Sequence, residues 1–71
     1  MKDYEKVLRN FIENKIISSL QTTDKQILYN LRGQAFGALM FAQEADLIPY
    51  ETLYQMWEGE NGYYDRFYIP S

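Results

Sequence analysis

The sequence predicts an all-α protein, a three-helix bundle with an extended aromatic C-terminal tail. Apolar residues recur at three- and four-residue steps over three successive stretches, and this spacing is typical of one face of an α-helix. The links between these stretches are short, which favours neighbouring helices that pack side by side. The 71 residues suffice for one small domain. We place the bundle at residues 1–59 and the tail at residues 60–71.

The first helix is predicted over residues 3–20. Asp3 is its expected N-cap, because a carboxylate there accepts a hydrogen bond from an early backbone N–H. Polar side chains such as Lys6 and Glu13 fall on the side away from the apolar face. A short link then predicts an antiparallel hairpin with the second helix. The apolar face comprises Tyr4, Val7, Leu8, Phe11, Ile12, Ile16 and Leu20.

The second helix is predicted over residues 24–46 and is the central one. Thr23 and Gln26 fit a capping box, in which each side chain bonds to the backbone N–H of the other residue. A second apolar set extends around the cylinder, so we expect two neighbouring helices to pack on this one. The core face comprises Ile27, Leu28, Leu31, Ala35, Ala38, Leu39 and Ala42, and the second set comprises Tyr29, Phe36, Met40 and Phe41.

Gly33 and Gly37 lie inside this central helix, where each costs about 1 kcal/mol relative to alanine. Close approach of another helix of the same chain is the expected reason, with Phe11 or Trp57 packing against the glycines. A homodimer through Gly33 and Gly37 is the alternative. The same spacing occurs in membrane helices, but polar residues interrupt any bilayer-length apolar run, so no membrane span is expected.

The third helix is predicted over residues 49–58. Pro49 disfavours the helical conformation at the preceding residue and suits the first turn of the next helix. Gly59 is the expected stop signal. Asn61 and Gly62 then form a strong turn signal. The aromatic run beyond them has no helical spacing, so we expect an extended tail that packs on the bundle or on a partner.

The amino-acid composition argues against the common kinds of catalytic and metal-binding site. Cysteine and histidine are absent, which excludes disulfides, thiol catalysis, the usual zinc ligands and nucleophiles activated by histidine. The acids Glu58, Glu60 and Asp65 do not match a calcium loop. We therefore predict no catalytic residue, no metal site, no cofactor and no enzymatic activity. The chain opens on an amphipathic segment rather than the apolar core of a signal peptide, so a cytoplasmic location is expected.

The charge of the chain is unevenly placed. Residues 1–35 hold six bases and four acids, whereas residues 36–71 hold one base and six acids. The acidic half disfavours nucleic acid and favours a protein partner with a basic surface. The alternatives are a DNA-binding regulator resembling a helix–turn–helix and a structural homodimer. The predicted partner-binding residues are Glu58, Glu60, Tyr63, Tyr64, Asp65, Arg66, Phe67 and Tyr68.

The run LRGQAFGALMFA at residues 31–42, followed by ADLI at residues 45–48, resembles a pattern in small uncharacterised helical proteins of Gram-positive bacteria and their phages. The resemblance covers the middle third of the chain. It implies a gene on phage or other mobile DNA, where small acidic proteins act as regulators or as inhibitors of host defence nucleases. The expected function is a non-enzymatic, protein-binding regulator or inhibitor of a host nucleic-acid-handling protein.

Overall fold

The computed structural model describes residues 3–70. Three α-helices follow one another without any strand in this part of the chain, so the all-α three-helix bundle is confirmed. The tail differs in one respect from the extended segment that the sequence predicts, because it contains a single 3-10 turn. The elements are α1 (Tyr4–Ser19), α2 (Lys25–Glu44), α3 (Tyr50–Trp57) and the 3-10 turn (Tyr64–Arg66).

The start of α1 agrees with the sequence. The Asp3 carboxylate accepts a hydrogen bond from the backbone N–H of Lys6 at 3.1 Å, which satisfies one of the four free N–H groups of the first turn. The buried face is narrower than predicted. Ile12 and Ile16 are buried, whereas Val7 and Leu20 are exposed, because no other element covers the outer edges of this face.

The predicted capping box at the start of α2 is wrong. Asp24 is the N-cap, and its carboxylate accepts hydrogen bonds from the N–H groups of Gln26 at 2.9 Å and Ile27 at 3.4 Å. Thr22 Oγ1 accepts from the N–H of Asp24 at 3.1 Å and holds the approach to the cap. Two neighbouring residues, Thr23 and Asp24, are both good caps, and the aspartate occupies the position.

Replacing the cap tests this assignment. We expect Asp24→Ala to lower the free energy of unfolding by about 1 kcal/mol, because two backbone donors lose their acceptor. Thr23→Ala should change it by less than about 0.5 kcal/mol, as for a surface residue without a structural role. Urea unfolding followed by circular dichroism measures both. A larger loss for Thr23→Ala than for Asp24→Ala would contradict the assignment.

Local backbone geometry ends α2 at Glu44, before the predicted end at residue 46. Asp46 has φ 60°, and the N–H of Leu47 donates to the carbonyl of Ala42 at 2.8 Å. With the bond from the N–H of Asp46 to the carbonyl of Gln43 at 3.1 Å, this is the Schellman motif of a helix C-terminus. Pro49 is the N-cap of α3.

The core lies on one side of α2, where α1, α3 and the tail meet. Three residues of the predicted core face are not buried: Ile27 is exposed, and Leu31 and Ala38 are only partly buried. Both α1 and α3 pack on α2, as predicted, but the second apolar set is exposed to solvent instead of being covered by them. The buried cluster comprises Ile12, Ile16, Ala35, Leu39, Ala42, Ile48, Leu53, Met56, Trp57, Tyr63 and Phe67.

The expected packing of another helix against Gly33 and Gly37 is also wrong. Both residues are exposed, and a Cβ atom added to either would have no heavy atom within 4 Å outside the local helix backbone. The neighbouring helices approach α2 instead on the face that carries Ala35, Leu39 and Ala42. Nothing in residues 3–70 accounts for the two glycines.

Candidate protein-binding surface

A tight turn brings the tail back over the end of α3. Asn61 has φ 63°, and a Cβ atom on Gly62 would lie 2.5 Å from the carbonyl oxygen of Trp57, so only glycine fits there. The N–H of Tyr63 donates to the carbonyl of Met56 at 2.8 Å. This bond satisfies one of the free carbonyls at the helix end. The turn therefore places the tail aromatics beside α3 and α2.

Two of the eight predicted partner-binding residues belong to the core. Tyr63 and Phe67 are each only 4% exposed. The ring centroid of Phe67 lies 6.3 Å from that of Trp57, a distance typical of packed aromatic pairs. Neither side chain is available to a partner. The sequence analysis left two locations for the tail, on the bundle or on a partner. Tyr63 and Phe67 pack on the bundle.

A polar network joins the tail to α1. The Tyr63 hydroxyl donates to Glu13 Oε2 at 3.3 Å and accepts from Arg9 Nη1 at 3.4 Å. Arg66 Nη1 lies 3.9 Å from Glu13 Oε2. The pKa of Arg9 is raised above its ordinary value, first by its hydrogen bond to Glu5 and then by its hydrogen bond to Tyr63. The predicted residue Arg66 thus faces α1 and pairs with Glu13.

An open depression lies on the other side of the tail, and we name it the acidic-aromatic depression. Trp57, Glu58, Tyr64 and Asp65 line its volume of about 420 Å³. The Tyr64 ring meets that of Trp57 edge-on at 5.9 Å between centroids. Within residues 3–70, neither Glu58 nor Asp65 forms an ion pair. The depression therefore presents two free carboxylates beside an aromatic ring.

Residues of α2 that the sequence analysis did not assign to a site border this depression. An adjoining hollow of about 350 Å³ shares Trp57, Glu58 and Tyr64 with the acidic-aromatic depression, and its other lining residues are Tyr29, Arg32, Gly33 and Phe36. The Arg32 guanidinium lies 4.8 Å from the Tyr64 ring centroid and 5.3 Å from that of Tyr29, within cation–π distance. The spacing of these α2 residues on one side of a helix can be recognised in the sequence. The sequence does not show that the tail folds back and contacts them.

The remaining predicted residues lie elsewhere. Glu60 lines a separate depression of about 390 Å³ together with Arg9 and Arg66, so the structure groups Glu58 with Asp65 and leaves Glu60 apart. Tyr68 is 75% exposed and borders a small apolar hollow of about 160 Å³ beside Leu20. The eight predicted residues are thus divided among the core, the acidic-aromatic depression and two other surfaces.

Carboxylates and aromatic rings are the groups that contact cationic side chains in proteins, and both kinds of group line the acidic-aromatic depression. In the part of the chain that the structure describes, no three His, Cys, Asp or Glu side chains are grouped to hold a metal ion. No helix between residues 3 and 70 has the length and apolar character needed to cross a membrane.

Comparison of the chain with family models, curated proteins and solved structures found no match.

Proposed function

We propose that the protein is a non-enzymatic binding module whose acidic-aromatic depression receives a lysine or arginine side chain of a partner protein. The observation that carries the proposal is the position of two carboxylates, Glu58 and Asp65, which form no ion pair within residues 3–70 and line one depression with the exposed Tyr64. A guanidinium or ammonium group there gains charge-assisted hydrogen bonds and a cation–π contact together.

Tyr64 is suited to act as the anchor of this contact. It is 45% exposed, yet its ring is held by Trp57 and by the guanidinium of Arg32. An anchored side chain loses little conformational entropy when a partner binds, and tyrosine is enriched among residues that dominate binding energy. The positive charge of Arg32 disfavours cation approach from the α2 side, so the partner's basic group enters beside Glu58 and Asp65.

The partner class follows from charge. A protein that handles nucleic acid has a basic groove, because phosphate neutralisation supplies much of its affinity. Six of the seven charged residues in residues 36–71 are acidic, so this half of the chain is complementary to such a groove. With the resemblance of residues 31–42 to phage and Gram-positive proteins, this supports a cytoplasmic regulator or inhibitor encoded by a phage or mobile element.

A capture experiment with matched charge reversals tests this proposal. The immobilised protein and its Glu58→Lys/Asp65→Lys variant are exposed to lysate of a Gram-positive host, and bound nucleic-acid-handling proteins are identified. We expect the charge reversal to weaken their binding at least tenfold, because attraction becomes repulsion. The control variant Glu44→Lys/Glu51→Lys makes the same change in net charge on other exposed residues and should bind as the unaltered protein does.

A second pair of variants separates the aromatic anchor from the charges. Tyr64→Ala is expected to weaken binding, whereas Tyr54→Ala, which alters an equally exposed tyrosine at 46%, should not. Equal capture by all variants would contradict the proposal. Raising the salt concentration should weaken binding of the unaltered protein, because the attraction between exposed charges is screened.

A further inference from the structure

The outer side of α2 is exposed and carries almost no charge. Between Lys25 and Glu44 the helix has one charged residue, Arg32, and its guanidinium lies over the rings of Tyr29 and Tyr64. A helix face in contact with water normally carries charged side chains, as α1 does. We name as the α2 face the eight exposed residues at helical spacing, Gln26, Tyr29, Asn30, Gly33, Gln34, Gly37, Met40 and Phe41.

This face combines large apolar side chains with an open backbone. Phe41 is 70% exposed, and Tyr29 and Met40 are also exposed. Between them lie Gly33 and Gly37, over which there is free space. Each glycine costs about 1 kcal/mol in a helix relative to alanine, and the fold of one chain gains no contact from either. A second helix could approach the α2 backbone closely at these two positions.

We propose that the α2 face binds the α2 face of a second copy of this chain, with the two helices antiparallel. A two-fold axis between Gly33 and Gly37 places Gly33 of one copy opposite Gly37 of the other. The same operation brings Tyr29 opposite Phe41, as an isologous interface requires. Met40 of one copy then lies opposite Asn30 of the other.

Charge complementarity selects a second copy in this orientation. Lys25 is the first residue of α2, just before the α2 face, and Glu44 is the last residue of α2, just after it. Antiparallel pairing brings each Lys25 beside a Glu44 and aligns the helix dipoles favourably. A parallel pair would instead bring glutamate beside glutamate at the C-terminal ends. The charges at the ends of α2 therefore favour the antiparallel pair.

The dimer is expected to be weak. The face extends from Gln26 to Phe41, about 24 Å along a helix that rises 1.5 Å per residue. A single seam of this length buries less than the roughly 800 Å² per partner of a standard stable interface. The oligomeric state should therefore depend on protein concentration, and solution mass must be measured up to about 1 mM, where even a weak complex is populated.

Sedimentation equilibrium of the unaltered chain is the first test. We expect the mean mass to rise with concentration from 8.5 kDa towards twice that value. Phe41→Glu should keep the lower mass at every concentration, because a buried unpaired charge opposes association. Tyr50→Glu, which alters an exposed aromatic residue on α3, should dimerise normally. A constant mass of one chain, or a dimer unaffected by Phe41→Glu, would overturn the proposal.

Gly37→Leu provides a second variant that should preserve the fold. The space above the residue is free and leucine is a better helix former than glycine, so the free energy of unfolding of the monomer should rise. Dimerisation should be lost, because the leucine side chain keeps the two backbones apart. Retention of the dimer would contradict close approach at this position.

Cysteine cross-linking tests the orientation, since the chain has no native cysteine. Chains with Gly33→Cys and chains with Gly37→Cys are mixed and oxidised. Antiparallel pairing predicts mainly disulfides between the two different chains, because disulfide formation requires close Cβ atoms. Mainly self-linked chains would overturn the antiparallel arrangement. The Asp65→Lys variant, which alters a residue of the acidic-aromatic depression that does not line the hollow beside Tyr29 and Gly33, should dimerise normally, which separates this inference from the proposed partner-binding function.

Discussion

A chain that ends at Gly59 is expected to be unfolded at 25 °C. The deletion removes Tyr63 and Phe67, each 4% exposed, and uncovers Trp57. Loss of one large aromatic side chain from a core costs about 3–5 kcal/mol. The total stability expected for a domain of this size is about 4–11 kcal/mol. Removing two such side chains therefore costs about as much as the whole fold gains.

Far-UV circular dichroism and urea titration measure this effect. The control is a chain that ends at Phe67, which keeps both buried aromatics and loses the exposed Tyr68. It should unfold cooperatively and retain most of its helix signal. A cooperative transition in the chain that ends at Gly59 would contradict the assignment of the tail to the core. Partner binding is accordingly better tested with substitutions of exposed residues than with truncation.

Replacing Trp57 with alanine should lower the free energy of unfolding by about 3–5 kcal/mol. Trp57 is 6% exposed and has three aromatic neighbours. Its ring centroid lies 5.2 Å from that of Phe36, 5.9 Å from that of Tyr64 and 6.3 Å from that of Phe67. It therefore joins α2, α3 and the tail, and the cavity left by its removal would disrupt all three contacts.

Urea unfolding followed by circular dichroism checks this result, because Trp57 is the only tryptophan and its fluorescence is lost in the variant. Tyr54→Ala on the same helix is the control, since that tyrosine is about half exposed and Trp57 is buried. We expect the transition midpoint to fall much further for Trp57→Ala than for Tyr54→Ala. Equal shifts for the two variants would show that Trp57 does not join these elements.

The candidate site shows how far the sequence could predict contacts. Helical spacing puts Tyr29, Arg32 and Phe36 on one side of α2, and the Asn61-Gly62 turn indicates a change of direction. Neither pattern shows that Tyr64 returns to Arg32, because the two residues are far apart in the chain and belong to different elements. The prediction of an aromatic, acidic surface at the tail therefore contained only part of the residues that line it.

Gly33 and Gly37 also show what the spacing of residues along a helix cannot predict. The spacing of Gly33 and Gly37 predicts close approach of another helix, but it does not say whether that helix belongs to the same chain. The alanine-rich face of α2 receives the rest of the chain instead. Both faces carry small residues, and only the positions of α1 and α3 distinguish them.

The amino-acid sequence alone determined the helical class, the approximate helix ends and the absence of cysteine and histidine chemistry. These properties follow from composition and from local spacing along a 3.6-residue helix. Tertiary structure alone decided which tail aromatics are buried, that Glu58 and Asp65 share a depression without Glu60, and that the α2 glycines are open. The physical reason is that burial and pairing depend on contacts between residues distant in the chain, which local periodicity does not specify.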